Sequence, residues 1–106
     1  MTGFKTYLIA PNAELQDANL RYANLRDADL TGADLTNAKL NSSDLRNANL
    51  SNANLDGTNI KNANLSGTNL TNAQNLTEEQ VKLAANWDKG IYDEDFLVVL
   101  GLPVEE

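Results

Sequence analysis

The chain has no cysteine and no histidine. Without cysteine there is no disulfide framework, no thiolate zinc site and no cysteine nucleophile; without histidine the commonest general base and metal ligand is gone. No apolar run is long enough to cross a bilayer. The opening MTGFKTYLIAPNAE holds one lysine and a short apolar stretch broken by Pro11, without the long apolar core and small-residue cleavage site of a secretory signal. A cytoplasmic protein is therefore expected, although a mature chain freed of a presequence would read the same way. At 106 residues the chain fits one domain, with little room for a closed core around a deep pocket.

What the chain has in abundance is a period. The stretch ADLTGADLTNAKL places leucine at Leu30, Leu35 and Leu40. Five residues turn an α-helix by about 500°, a net 140°, so these leucines would spiral instead of forming a stripe. On a plain strand an odd spacing puts successive leucines on opposite faces. Neither element fits. The register runs unbroken through Leu15, Leu20, Leu25, Leu30, Leu35, Leu40, Leu45, Leu50, Leu55, Ile60, Leu65 and Leu70, with a small side chain two residues before each centre, from Ala13 to Thr68. A small and a large inward position separated by one outward position describe a short extended side, and the remaining residues make a corner. Gly or Asn often stands two residues after the centre, as at Gly32, Asn37, Gly57 and Asn62; these residues tolerate positive φ. Four sides close a twenty-residue coil, and coils stack at about 4.8 Å, which predicts an all-β, four-sided solenoid of about three coils.

The tandem A-[N/D]-L-x-x motif over residues 12–72 resembles the pentapeptide repeat family. The resemblance implies a right-handed quadrilateral β-helix and says little about function, because the family uses one scaffold for unrelated tasks. The later segment EEQVKLAANWDKGIYDEDF also resembles the tail of many cyanobacterial pentapeptide repeat proteins.

A solenoid must cover its open ends. Residues 1–11 read as a degenerate lid, with Leu8 in register with the small inward positions. Residues 73–106 read as a helical cap. Thr77 and Gln80 are spaced as a capping box; Val81, Ala84, Ala85 and Trp87 make an apolar stripe. Asp93 is placed to cap a second helix through EDFLVVL, which Gly101 and Pro103 stop, with Phe96, Leu97, Val99 and Leu100 completing the plug. All three segments form one structural domain.

The net charge of −7 is uneven: +1 over residues 1–11, −2 over 12–72 and −6 over 73–106. Residues twenty apart share a face. Glu14, Asp17, Asp34 and Asp56 gather on one face, while Arg21, Lys39 and Lys61, joined by the exposed aromatic Tyr22, gather on the next. No carboxylate falls in a cavity, and no phosphate loop or EF-hand spacing occurs. No catalytic residue, cofactor or metal is assigned, and an enzyme is not expected. The reading is a non-catalytic scaffold that docks an unidentified protein partner on Arg21, Tyr22, Lys39 and Lys61, with neither nucleic acid nor membrane bound directly and a monomer rather than a homodimer. The alternative implied by the family resemblance is a DNA-mimicking modulator of DNA gyrase. Ice binding through Thr31, Ser51 and Thr71 is a third, weaker reading.

Overall fold

Between each small inward residue and the apolar centre after it stands one outward residue, which pairs with its counterpart twenty positions on. In the computed structural model, which describes residues 5–104, parallel bridges join Glu14 to Asp34, Asn54 and Gln74; Asn19 to Lys39 and Asn59; Asn24 to Asp44 and Asn64; and Asp29 to Asn49 and Asn69. These four columns define faces one to four of a rod whose two shorter extents, 23 and 22 Å, are nearly equal. Each side is one bridge wide because a corner interrupts it every five residues, so the described residues carry isolated bridges and no longer strand. Residues 1–4 of the expected lid and 105–106 of the expected cap lie outside the described residues.

All twelve apolar centres from Leu15 to Leu70 are buried, and those from Leu30 to Leu45 are fully so. Ala13, Ala18 and most of the later small residues lie beside them. Burying one large aliphatic side chain stabilises by about 1.5–3 kcal/mol before chain entropy is counted, so the interior column supplies the main cohesive force. Thr58 and Thr68 occupy small positions as well, and each donates its hydroxyl to a carbonyl of the preceding coil, Leu35 O and Leu45 O, at 2.7 Å.

The corners depend on two devices. The second residue after every centre, from Asp17 to Asn72, has positive φ, and this includes Asp27, Ser42 and Tyr22 as well as the asparagines and glycines. The bridging Asn or Asp also turns its Oδ1 onto the backbone N–H two residues later, from Asn19 with Arg21 (3.3 Å) to Asn69 with Thr71 (3.0 Å). These Asx turns satisfy a corner donor and explain the N/D of the motif. Glu14 and Lys39 stand in this column position without such a bond.

Beyond Gln74 the ladders continue with a slipped register. Asn64 pairs with Ala85 and Asn69 with Ile91, spacings of 21 and 22 residues. Helix α1 (Glu78–Lys82) fills the side where face two would have continued. Thr77 and Gln80 form the reciprocal capping box, and the Gln80 Nε2 also donates to Leu55 O (2.8 Å) and Thr58 O (2.7 Å). The amide thus replaces the N–H that another coil would donate to Thr58 O, and gives Leu55 O a second donor beside the Thr58 N–H. Helix α1 stops at Lys82, so Ala85 is an exposed bridge residue and no part of an apolar stripe; Val81 and Ala84 are buried and Trp87 is half-buried. The reason is geometric: the chain must return to extended backbone for Leu65 N–H to reach Ala85 O at 3.0 Å.

Helix α2 (Glu94–Leu100) ends at Gly101, in the left-handed region at φ 77. Asp93 occupies its N-cap position, but its carboxylate does not cap the helix; it accepts from Asn72 N–H at 2.8 Å, standing in for the carbonyl of a further coil. Leu100 is buried, Phe96 and Leu97 are half-buried, and Val99 faces outward on a seven-residue helix that turns only part of its surface to the rod. At the amino end the register differs by one residue from the expectation. Leu8 is exposed, whereas Tyr7 and Ile9 pack against the core and the Tyr7 hydroxyl accepts from Asn19 N–H at 3.1 Å.

Candidate protein-docking face

Face two is built on the column Asn19, Lys39, Asn59 and bordered by the corner residues Arg21, Asn41, Lys61 and Tyr22, Ser42, Asn62. The ladder bonds of its middle coil run along the rod axis. Lys39 N–H donates to Ala18 O and Leu40 N–H to Asn59 O, both at 2.8 Å.

Lys39 replaces the Asn or Asp that neighbouring bridge positions carry, and its corner therefore lacks the Asx bond. The adjacent Asn41 Oδ1 is buried without a partner. Leaving a buried acceptor unpaired costs on the order of 1 kcal/mol or more, a loss at Asn41 that lies beside the corner where Lys39 supplies no acceptor to the Asn41 N–H. Tyr22 shows a second loss. It adopts φ 63, where a bulky side chain costs about 1–2 kcal/mol, and it is 77% exposed. Its corner N–H reaches Asn41 O at 3.3 Å, against 2.9 Å for the equivalent bonds of Ser42 and Asn62.

The four residues differ in freedom. Arg21 donates Nε to Asn19 Oδ1 at 3.1 Å, which holds its guanidinium against the face. Lys39 and Lys61 are exposed and form no ion pair with any described residue, the pairs being Arg26–Asp44, Arg46–Asp44 and Lys82–Glu78. On face three Asp44 sits between the two arginines at 2.7 Å (Arg46) and 3.5 Å (Arg26). The Arg46 hydrogen bond chiefly holds the Asp44 carboxyl well below its usual range, at about 2, and raises the guanidinium in turn. Asp29 and Asp34 are lowered too, first by the hydroxyls of Thr31 and Thr36.

The acidic set on and beside face one is less uniform. Asp34 is tied to Thr36 and to Gln16 Nε2 (2.8 Å), while Glu14, Asp17 and Asp56 are exposed. On face four the hydroxyls of Thr31, Ser51 and Thr71 donate to Asp29, Asn49 and Asn69 at 2.6–2.8 Å, so their protons are committed within each turn. Two shallow grooves lie elsewhere, one along Asn24, Arg26 and Arg46, the other along Asn72, Asp93 and Phe96. Among the described residues no group of three carboxylates forms a metal cluster, and no helix is long and apolar enough to cross a membrane. Sequence reasoning missed the Asx column and the unpartnered Asn41; the regular N/D before each leucine was the available signal for the first.

A family model described as pentapeptide repeats (8 copies) matches residues 13–52 and again 33–72. Among solved structures, the chain is similar to a pentapeptide repeat protein from the Arabidopsis thaliana thylakoid lumen, with 25% identity over 83% of this chain and 67% of that one and a TM-score of 0.36. It is also similar to a pentapeptide repeat protein from Nostoc Pcc 7120, with 21% identity over 89% of this chain and 82% of that one and a TM-score of 0.24. No curated protein matches the chain.

Proposed function

The chain belongs to the pentapeptide repeat family, whose members fold as right-handed β-helices, and from that premise we propose that it is a non-catalytic scaffold that docks another protein on face two through Arg21, Tyr22, Lys39 and Lys61. In this reading the rod has about three coils, with residues 1–11 as a lid and residues 73–106 as a cap. The supporting observation is the coincidence of two local losses on one face, the strained exposed Tyr22 and the Lys39 that forgoes an Asx turn. Residues kept at a cost to the fold are candidates for recognition. Chemistry argues the same way. The perturbed repeat carboxylates Asp29, Asp34 and Asp44 are all lowered, which makes them poorer proton carriers near neutrality, whereas general acid–base work needs a value raised toward it.

Imitation of duplex DNA gains no support from this surface, since a duplex carries a negative charge about every 1.7 Å of its axis and face two is cationic. The test is affinity capture from the native organism. The variant with Arg21→Glu, Lys39→Glu and Lys61→Glu is expected to lose the captured protein, and the variant with Glu14→Gln, Asp17→Asn, Asp34→Asn and Asp56→Asn to keep it. Equal retention by both variants contradicts the assignment.

A further inference from the structure

The shape of face two restricts what it can hold. Its ladder bonds between Asn19 and Asn59 run along the rod axis, and Tyr7 at one end and α1 at the other cover its terminal coils, so a partner strand has no edge to extend. Neither shallow groove reaches Arg21, Tyr22, Lys39 or Lys61. The occupant must satisfy its own backbone or leave it in water, and must be read through side chains on a flat wall. A polyproline II segment meets that condition, because it makes no internal hydrogen bonds, keeps its backbone solvated and packs its rings on exposed aromatics.

The spacing agrees. Arg21 and Lys61 occupy one corner column two coils apart, about 9.6 Å along the rod at 4.8 Å per coil. Polyproline II repeats its side-chain direction every three residues, about 9.3 Å at 3.1 Å per residue. Carboxylates at every third position of such a segment therefore fall opposite Arg21 and Lys61, with Lys39 between them on the intermediate coil. Tyr22 follows Arg21 at the same edge and offers its ring to the intervening prolines. Asp44, the nearest acid of face three, is occupied by Arg26 and Arg46. Asp17 and Asp56 border the opposite edge of face two, which keeps an acidic segment on the Arg21–Lys61 side, and Glu78 and Glu79 of α1 bound it at the carboxyl end.

We propose, resting on the docking role assigned above, that face two takes an acidic, proline-containing partner segment in polyproline II conformation that runs along the rod axis with a carboxylate at every third residue. The probe is a labelled peptide of four Asp-Pro-Pro units, compared by fluorescence anisotropy at low salt with two peptides of equal charge: four aspartates followed by eight prolines, and an alanine-rich helix with acids seven apart. The spaced peptide is expected to bind roughly tenfold more tightly than the block peptide and the helix, the ratio that about 1.4 kcal/mol represents. Tyr22→Asn is expected to weaken it about fivefold while raising the melting temperature, with Tyr22→Phe near the parent. Equal binding of the spaced and block peptides, tighter binding of the helix, no binding of the spaced peptide, or an unchanged affinity in Tyr22→Asn overturns the inference. If the peptides fail to discriminate while capture from the organism still depends on Arg21, Lys39 and Lys61, the segment is wrong and the docking face stands; if triple reversal changes neither measurement, both fall.

Discussion

The repeats and the segment after them solve one problem by different means. From Leu15 to Leu55 each centre's N–H donates to the bridging residue of the next coil, so one bond type recurs along the rod from repeats of the same sequence pattern. After Gln74 the backbone ladder goes on only at Ala85 and Ile91 and in a few corner bonds, and single side chains meet what it leaves: the Gln80 amide at Thr58 and the Asp93 carboxylate at Asn72. At the amino end the Tyr7 hydroxyl plays this part for Asn19. Redundancy protects the repeats, where the loss of one outward side chain leaves the ladder intact. The side-chain contacts at the ends have no such redundancy, and a single substitution there uncovers Thr58 O, the Asn72 N–H or the Asn19 N–H.

The largest expected effect is inside the repeats. Leu45→Lys places an ammonium in the middle coil without a partner, and burying an unpaired charge costs more than a domain of this size holds in reserve. Circular dichroism is expected to show an unfolded chain; a folded variant with unchanged melting breaks the account of the core.

A smaller loss is expected at the carboxyl end. Gln80→Leu leaves Thr58 O and Thr77 N–H without their partners, while Leu55 O keeps the Thr58 N–H, and is expected to lower stability by about 2 kcal/mol in denaturant unfolding. A chain ending at Asn72 exposes ladder groups and inward leucines together and is expected to associate in light scattering. If that truncated chain is monomeric and as stable as the parent, residues 73–106 are no cap.

Acid acts on the repeats, where the lowered carboxyls Asp29, Asp34 and Asp44 lie. Asp44 has its folded-state value depressed from 3.8 to about 2. Its contribution is therefore present above 3.8 and lost as pH falls toward 2. Asp29 and Asp34 act in the same direction. The melting temperature is expected to drop through this window, and less steeply in Asp44→Asn; identical acid profiles contradict the role given to the Arg26–Asp44–Arg46 cluster.

The smallest effect is a gain. Ser43 occupies a small inward position, is 2% exposed, and its hydroxyl has no partner, unlike those of Thr58 and Thr68. Ser43→Ala is expected to stabilise by about 1 kcal/mol. Calorimetry showing a loss of that size instead means the hydroxyl has a partner in solution.

Much of this architecture could be read before the structure, and the limits have a physical cause. A period of five with paired inward positions dictates which side chains are buried, so Leu15 to Leu70 followed from pattern alone, as did the left-handed corners at Gly32 or Asn37. Pattern does not say which outward groups reach back to the backbone. The bridging asparagines looked merely polar, yet they close the corners. Tyr22, Asp27 and Ser42 share the left-handed conformation with the glycines because twelve neighbouring corners impose it. Where the period fails, register must be found by packing: one extra residue before Ala85 and another before Ile91 let the ladder go on where sequence suggested only helix, and ahead of Ala10 it is Tyr7 and Ile9 that meet the core in place of Leu8. Asp93 was read as a helix cap from spacing, but the unpaired Asn72 N–H lay closer to its carboxylate than any donor of α2. For the candidate site, charge columns were legible from the twenty-residue spacing, whereas the losses at Tyr22 and Asn41 required coordinates.

In the proposed reading the interior holds the rod together and face two does the recognising. Site-specific photo-crosslinking in the native organism tests it most directly, with p-benzoylphenylalanine in place of Tyr22 and, as controls, of Asn12 or Asp27, exposed first-coil corners of the same left-handed conformation on edges that face two does not share. The account predicts a discrete protein adduct from position 22 and none from positions 12 and 27. Adducts of equal yield at all three positions, or at 12 and 27 alone, contradict it.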